Sequence, residues 1–384
     1  MTKTVNKVSV RRRAYDALTL LGLTLAAAAL VIFPEESVAA GKDGVKLCVD
    51  VIIPSLMPFF ALSSMIVEMG LAERLGRAMA PFMRYLFNVG GVCSAAFILG
   101  FIGGYPVGAK TAISLYNSGQ TTKTETERLL SFCNNSGPAF ILGVVGAGIF
   151  TSGKIGIVLC LVHAFSSVIV GILFRFWGAK KAELSTPPTQ RKAARTSTFS
   201  SAFVNAIKSS VQSMLNISGF VIFFTIFIRL LFLTGILPAA AKLIAECTGL
   251  RLNSVEFVLT GIIELTSGVR TLNPQMLSTS MRMAAFMLGW AGLSVHCQAL
   301  SFICDSGISS KSYIIGKILH GLLSAGLVGV LFRFLPFEQP AAVYLTQQVS
   351  GIARLDFSRA LLISVSSSAI LLLLLLTISA KKRR

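Results

Sequence analysis

The sequence predicts an all-α polytopic membrane protein, with about eight transmembrane helices plus two re-entrant hairpins in two inverted repeats. Three observations lead there. The 384 residues are 54% hydrophobic and 13% charged, with a mean hydropathy of +0.75. A soluble domain carries roughly 25% charged residues, so most of this chain's surface has to face a bilayer. Long uncharged runs alternate with short basic gaps, and the two halves of the chain are weakly similar to each other.

A spanning helix needs about 20 mostly apolar residues. Runs that meet this in order are 17–33, 51–67, 129–150, 155–174, 209–228, 283–303, 312–332 and 360–380. Of these, 312–332 holds a cation, Lys317, close enough to its start to snorkel. The stretches 92–109 and 254–269 are apolar but broken by Gly, Pro or polar residues near their ends, and read as re-entrant hairpins. Glu68, Glu73, Arg74, Arg77 and Arg84 form the charged face of an interfacial helix around Met79, Ala80 and Pro81.

The net charge of +19 comes from 35 Lys+Arg against 16 Asp+Glu. Nucleic-acid-binding domains show their cations on a hydrated face. Here the cations gather between apolar runs, at residues 3–13, 180–195 and 381–384, as topological charges do. All three clusters are expected in the cytosol, with both termini inside. The first run also resembles a signal peptide, with Val38, Ala39 and Ala40 as a cleavage-like site, but an uncleaved first helix suits a polytopic chain better. The resulting layout is a basic segment and first helix (1–46), a first gate-like repeat (47–178), a basic cytosolic linker (179–200), a second, inverted repeat (201–336) and an interfacial segment with last helix and basic tail (337–384).

The repeat rests on short matches. Residues 97–102 align with 257–262, and Gly108, Ala109, Lys110 and Thr111 align with Gly268, Val269, Arg270 and Thr271 at the same offset. Residues 128–132 align with 282–286 at a slightly shorter one. Given the charge clusters, the first repeat starts outside and the second inside. Inverted repeats with interrupted segments mark secondary transporters, and the interruptions point to the substrate site.

Gly103, Gly104, Tyr105, Pro106 and Gly108, followed at Lys110 by a cation, are too rich in Gly and Pro for a continuous helix. Freed backbone groups at membrane depth must face protein or a water-filled cavity. Asn134, Asn135, Ser136, Gly137 and Pro138 interrupt an otherwise apolar run, where polar residues default to a functional role; this is the strongest site signal in the chain. The second half offers Glu264, Ser267, Gly268 and Arg270, then Trp290, Ser294, His296 and Gln298. Glu264 and His296 are candidates for coupling, although Glu264 and Arg270 also read as an interfacial ion pair and His296 as a core histidine. For Lys110 and Arg270, substrate contact and snorkelling stand level. His163 and His320 sit alone in apolar helices and read as core residues. The seven cysteines lack metal or redox spacing, so neither a metal, a cofactor nor a disulfide framework is expected. No nucleophilic triad or P-loop emerges, so the chain reads as neither an enzyme nor, on its own, an ATP-driven pump.

Residues 54–60, 68–70 and 100–110 resemble the nucleoside-recognition or gate domain of concentrative nucleoside transporters and ferrous-iron permeases. The continuation over 127–138 narrows this, since it resembles the YlbJ-type sporulation integral membrane proteins of endospore-forming bacteria. The similarity extends over about 51–334, with its distinctive motifs in the first half. It implies a transporter in the mother-cell-derived outer forespore membrane that moves dipicolinic acid toward the spore core. That substrate is an aromatic dicarboxylate, which two repeat-related cations, Lys110 and Arg270, would suit, with Tyr105 or Trp290 stacking on its ring. The partners called for are this small anion and the lipid bilayer; nucleic acid is not, and self-association is left open. A nucleoside or other neutral-solute carrier and a non-transporting spore-maturation scaffold are the alternatives.

Overall fold

The computed structural model describes residues 2–69, 78–178 and 198–334, and they are helical with no strand among them. The predicted span 360–380, the basic tail, nearly all of the basic linker, and Glu73, Arg74 and Arg77 lie outside these residues.

The chain begins with α1 (Thr2–Ile32) and α2 (Pro34–Leu47), which meet at 97° because Pro34 opens a new helix after Phe33. A π-helical turn, Cys48–Ile52, leads into α3 (Ile53–Glu68), and both α2 and α3 pack on the later helix α9 (Phe199–Leu233). Leu47, Ile52, Phe60, Met214 and Val221 close that contact. Exposed leucines on α1 (Leu18, Leu20, Leu21, Leu23, Leu25) and the outward Ile157, Leu161 and Phe165 are what lipid-facing helices require.

In the first half, α4 (Ala78–Phe87) turns at Asn88 and Gly90 into α5 (Ser94–Ile102), again at 97°. The predicted hairpin follows: α5, a break at residues 103–106, then α6 (Val107–Asn117). A capping box of Thr122 and Glu125 starts α7 (Lys123–Leu130). The expected span 129–150 is not one helix. It divides into the end of α7, an irregular stretch at 131–138 and a π-helix, Ala139–Ile149. Pro138 has no N–H to give, the Asn135 amide takes the Phe132 carbonyl and the Ser136 N–H goes to His163, so a helix does not run through. Next comes α8 (Gly153–Leu173), capped by Ser152.

After α9 the second half holds α10 (Ile236–Thr248), α11 (Leu252–Ile263), α12 (Leu265–Arg270), α13 (Leu277–Trp290), α14 (Gly292–Asp305) and α15 (Lys311–Phe334). The expected span 283–303 is broken at Ala291 and Gly292, which stand at φ +83° and +84°. The predicted hairpin 254–269 breaks at Glu264, at the first residue of the polar stretch. Among the described residues four helical stretches are long and apolar enough to cross a membrane: 153–176, 199–233, 274–305 and 311–334. Counting each of the two bent pairs as one span raises this to at most six among the described residues.

Candidate functional site

Two breaks from each half come together, 103–106 and 131–138 from the first and those at Glu264 and at 291–292 from the second. In the first half, the tip of the α5–α6 hairpin lies on the later break. Gly104, at φ +72°, is so close that a Cβ there would sit 2.9 Å from the backbone nitrogen of Gly137. Behind it, a Cβ on Gly100 or Gly108 would fall 1.8 or 2.0 Å from the Cys133 carbonyl oxygen. The glycines are therefore what lets the hairpin backbone rest on the break. In the second half, Gly292 does the same against Leu265, with a Cβ 2.9 Å from that backbone nitrogen.

A small pocket of about 60 Å³ opens where these breaks meet. Gly103, Gly104, Tyr105, Ser136 and Gly137 line it from the first half. Glu264, Leu265, Thr266, Ser294 and Gln298 line it from the second, and residues of α3 and α9 close the sides. The hydroxyls of Ser136 and Ser294 are buried and have no hydrogen-bond partner. Native proteins rarely leave such groups unpaired, which makes both hydroxyls candidates for contact with a polar group in the pocket. Glu264 is buried, and its two carboxylate oxygens accept the backbone N–H groups of Thr266 (2.9 Å) and Ser267 (2.6 Å). It caps α12 instead of pairing with Arg270, so the ion-pair reading of these two does not hold.

Beside the pocket lies a polar core that sequence reasoning missed. Lys317 was expected to snorkel, but it is 1% exposed. Its Nζ donates to the Asn134 carbonyl oxygen at 2.9 Å, approaches His320 Nδ1 at 3.4 Å and stands 5.0 Å over the Tyr105 ring. His320 Nε2 donates to the His163 carbonyl oxygen at 2.9 Å, while His163 Nε2 accepts the Ser136 N–H at 3.0 Å. The two imidazoles face each other at 4.3 Å. His163 and His320 are therefore not isolated core residues: they link α8 and α15 to the first-half break. Nearby, Tyr313 Oη meets His296 Nδ1 at 2.9 Å and Asn134 Nδ2 at 3.4 Å. The available signal was the Lys317 and His320 pair, three residues apart on one helix face.

Energy explains why Lys317 stands out. Burying an ammonium costs several kcal/mol even after relaxation. Two charge-assisted hydrogen bonds return about 1.5–3 kcal/mol each, and a desolvated cation–π contact about 2 kcal/mol. The two sides nearly cancel, so the ammonium is held there only while these partners are in place. The amine has no carboxylate partner among the described residues, and an ionisable group buried in an apolar bundle is a candidate functional position.

Other predicted residues are distributed unevenly. Tyr105 lines the pocket, and its hydroxyl donates to the Leu288 carbonyl. Asn135 turns back to the Phe132 carbonyl at 2.9 Å, and Gly108 and Gly268 are buried at helix contacts. Pro106 and Pro138 each stand immediately before a helix. Trp290 donates to the Ile262 carbonyl at 3.0 Å and lies 4.2 Å from His296, away from the pocket lining. Lys110, in the first turn of α6, and Arg270, the last residue of α12, are exposed and do not line the pocket either.

Residues 49–201 match the Gate family, described as nucleoside recognition. Over 326 residues the chain is 31% identical to the sporulation integral membrane protein YlbJ of Bacillus subtilis (strain 168), an alignment covering 80% of each chain. No solved structure matches.

Proposed function

This chain belongs to the YlbJ family of sporulation integral membrane proteins, and on that premise we propose that it is a membrane carrier of a small anionic metabolite rather than an enzyme. The observation that carries this reading is the pocket formed where the breaks of both halves meet, next to a buried cation without a carboxylate partner. A carrier needs a solute site at the interface of its two repeats, built from interrupted helices. In this reading 47–178 and 201–336 are inverted gate-like repeats joined by the cytosolic linker, with both termini in the cytosol. The substrate is dipicolinic acid, moved from the mother cell across the outer forespore membrane. Lys317 supports the choice of an anion, and Tyr105 presents an aromatic ring at the pocket wall.

Deleting the gene from a sporulating host is expected to give dipicolinate-poor spores from mother cells that still make the compound. Normal spore dipicolinate would overturn the proposal. The purified chain in liposomes is expected to take up labelled dipicolinate in preference to uridine.

One observation favours a neutral solute instead. The polar groups on the pocket wall include two serine hydroxyls and the Glu264 carboxylate, while Lys110 and Arg270 are elsewhere. Preference for uridine in the same liposomes would establish that reading.

A further inference from the structure

In carriers with broken helices, the carbonyls freed by unwinding are the groups that coordinate a coupling sodium ion or proton. Here the carbonyl of Asn134, in the irregular stretch 131–138, is freed in this way, and a side chain meets it. Lys317 reaches across from α15 and places its Nζ 2.9 Å from that oxygen. The remaining surroundings are also those of a cation seat. His320 Nε2 donates to a carbonyl, which can only accept. In the neutral ring Nδ1 is therefore a lone pair, and it faces Nζ at 3.4 Å. The face of Tyr105 lies on another side at 5.0 Å, and the Tyr105 hydroxyl is held by the Leu288 carbonyl, which fixes the ring between Lys317 and the pocket. The seat thus offers a carbonyl oxygen, an imidazole nitrogen and a π face. All three are neutral and all attract positive charge.

From this geometry we infer that the Lys317 ammonium is a resident cation: it occupies the place where an ion-coupled carrier holds a transported ion, so the chain keeps its first-half break folded and works without sodium. The inference rests on the carrier reading and adds its ion requirement. A backbone contact supports the fixed position, since Gly316 brings α15 so close to the break that a Cβ there would lie 2.4 Å from the Ser131 carbonyl oxygen. The backbone at Lys317 is therefore held against the break, which fixes the point from which its side chain reaches the Asn134 carbonyl.

The test uses the purified full chain and needs no substrate. Thermal unfolding is followed in sodium, potassium or N-methylglucamine chloride at equal ionic strength. The wild-type chain is expected to unfold at the same temperature in all three; selective stabilisation by sodium would overturn the inference. Lys317→Ala is expected to unfold several degrees lower and to recover in methylammonium chloride, whose head fits the vacated seat, but not in tetramethylammonium chloride. Equal behaviour in both salts counts against a cation seat. If that variant does not accumulate, Lys317→Met, which keeps the length and loses the charge, decides the matter with the wild-type series. Wild-type stability in Lys317→Met would show that the charge is dispensable. Dipicolinate uptake by wild-type liposomes is measured separately with and without sodium. No uptake under either condition strikes at the carrier reading, whereas uptake that requires sodium strikes at the resident cation alone.

Discussion

The two halves of the molecule face one problem, backbone groups freed by breaks inside an apolar fold, and they solve it differently. At the Glu264 break of the second half the N–H groups are met locally, while the carbonyls of Ile262 and Leu288 take Trp290 and Tyr105. Glu264 interrupts the α11–α12 hairpin for a single residue and satisfies the next two useful N–H groups with its own carboxylate. In the first half the break at 131–138 is longer, and its partners come from other helices. Ser167 and His163 on α8 meet the Phe132 carbonyl and the Ser136 N–H, and Lys317 on α15 meets the Asn134 carbonyl. The difference teaches that a short break can be capped from its own sequence, while a long one has to be built jointly with the surrounding bundle. The first half is therefore complete only once the second has packed on it.

This comparison can be broken experimentally, beginning with the largest effect. Gly108→Val drives a side chain into the Cys133 carbonyl. Because backbone rather than a flexible side chain is in the way, the cost is expected to be on the order of 3 kcal/mol. The variant should fail to accumulate in membranes, whereas Gly143→Val, which meets nothing within 4 Å, should accumulate normally. Equal yields would show that the hairpin does not rest on the break as described.

Glu264→Ala removes the local cap and is expected to lower unfolding stability by about 1–2 kcal/mol, with Glu264→Gln, which keeps one acceptor, losing less. If the two variants unfold alike, the carboxylate is not acting as the cap. Smaller again are Ser136→Ala and Ser294→Ala. Because neither hydroxyl has a partner, each is expected to change stability by less than about 0.5 kcal/mol, yet to weaken solute uptake in liposomes. Uptake equal to wild type would take the two serines out of the site. Lys110→Gln and Arg270→Gln should matter least, within about 0.5 kcal/mol in stability as exposed positions and with uptake largely kept. A tenfold loss in either would return that cation to the substrate.

Much of this architecture was legible from residue types. Gly103, Gly104 and Pro106 announced the first hairpin, and Asn134 to Pro138 announced the second break, because Gly and Pro act on the backbone where they stand. The break at Ala291 and Gly292 was less visible, since one glycine beside an alanine is ordinary in a packed helix. Lys317, His163 and His320 were misread for a different reason. Their environment is made by α8 and α15 meeting the first-half break, with sequence separations such as Asn134 to Lys317 that periodicity along a single helix cannot register. For the same reason the spacing that paired Lys110 with Arg270 located both hairpins but not the pocket, which neither cation lines.

Trp290 also makes this molecule observable. The chain has two tryptophans. Trp177 is tied to Glu127 at 3.2 Å, near the end of α8, while Trp290 bridges the second hairpin and His296 at the later break. Replacing Trp177 by Phe would leave one intrinsic fluorophore, in contact with an imidazole on one side and the Ile262 carbonyl on the other. Any movement that separates the hairpin from α14 changes that ring's surroundings, so emission from the unlabelled protein becomes a direct optical readout of whether the second half opens when solute arrives.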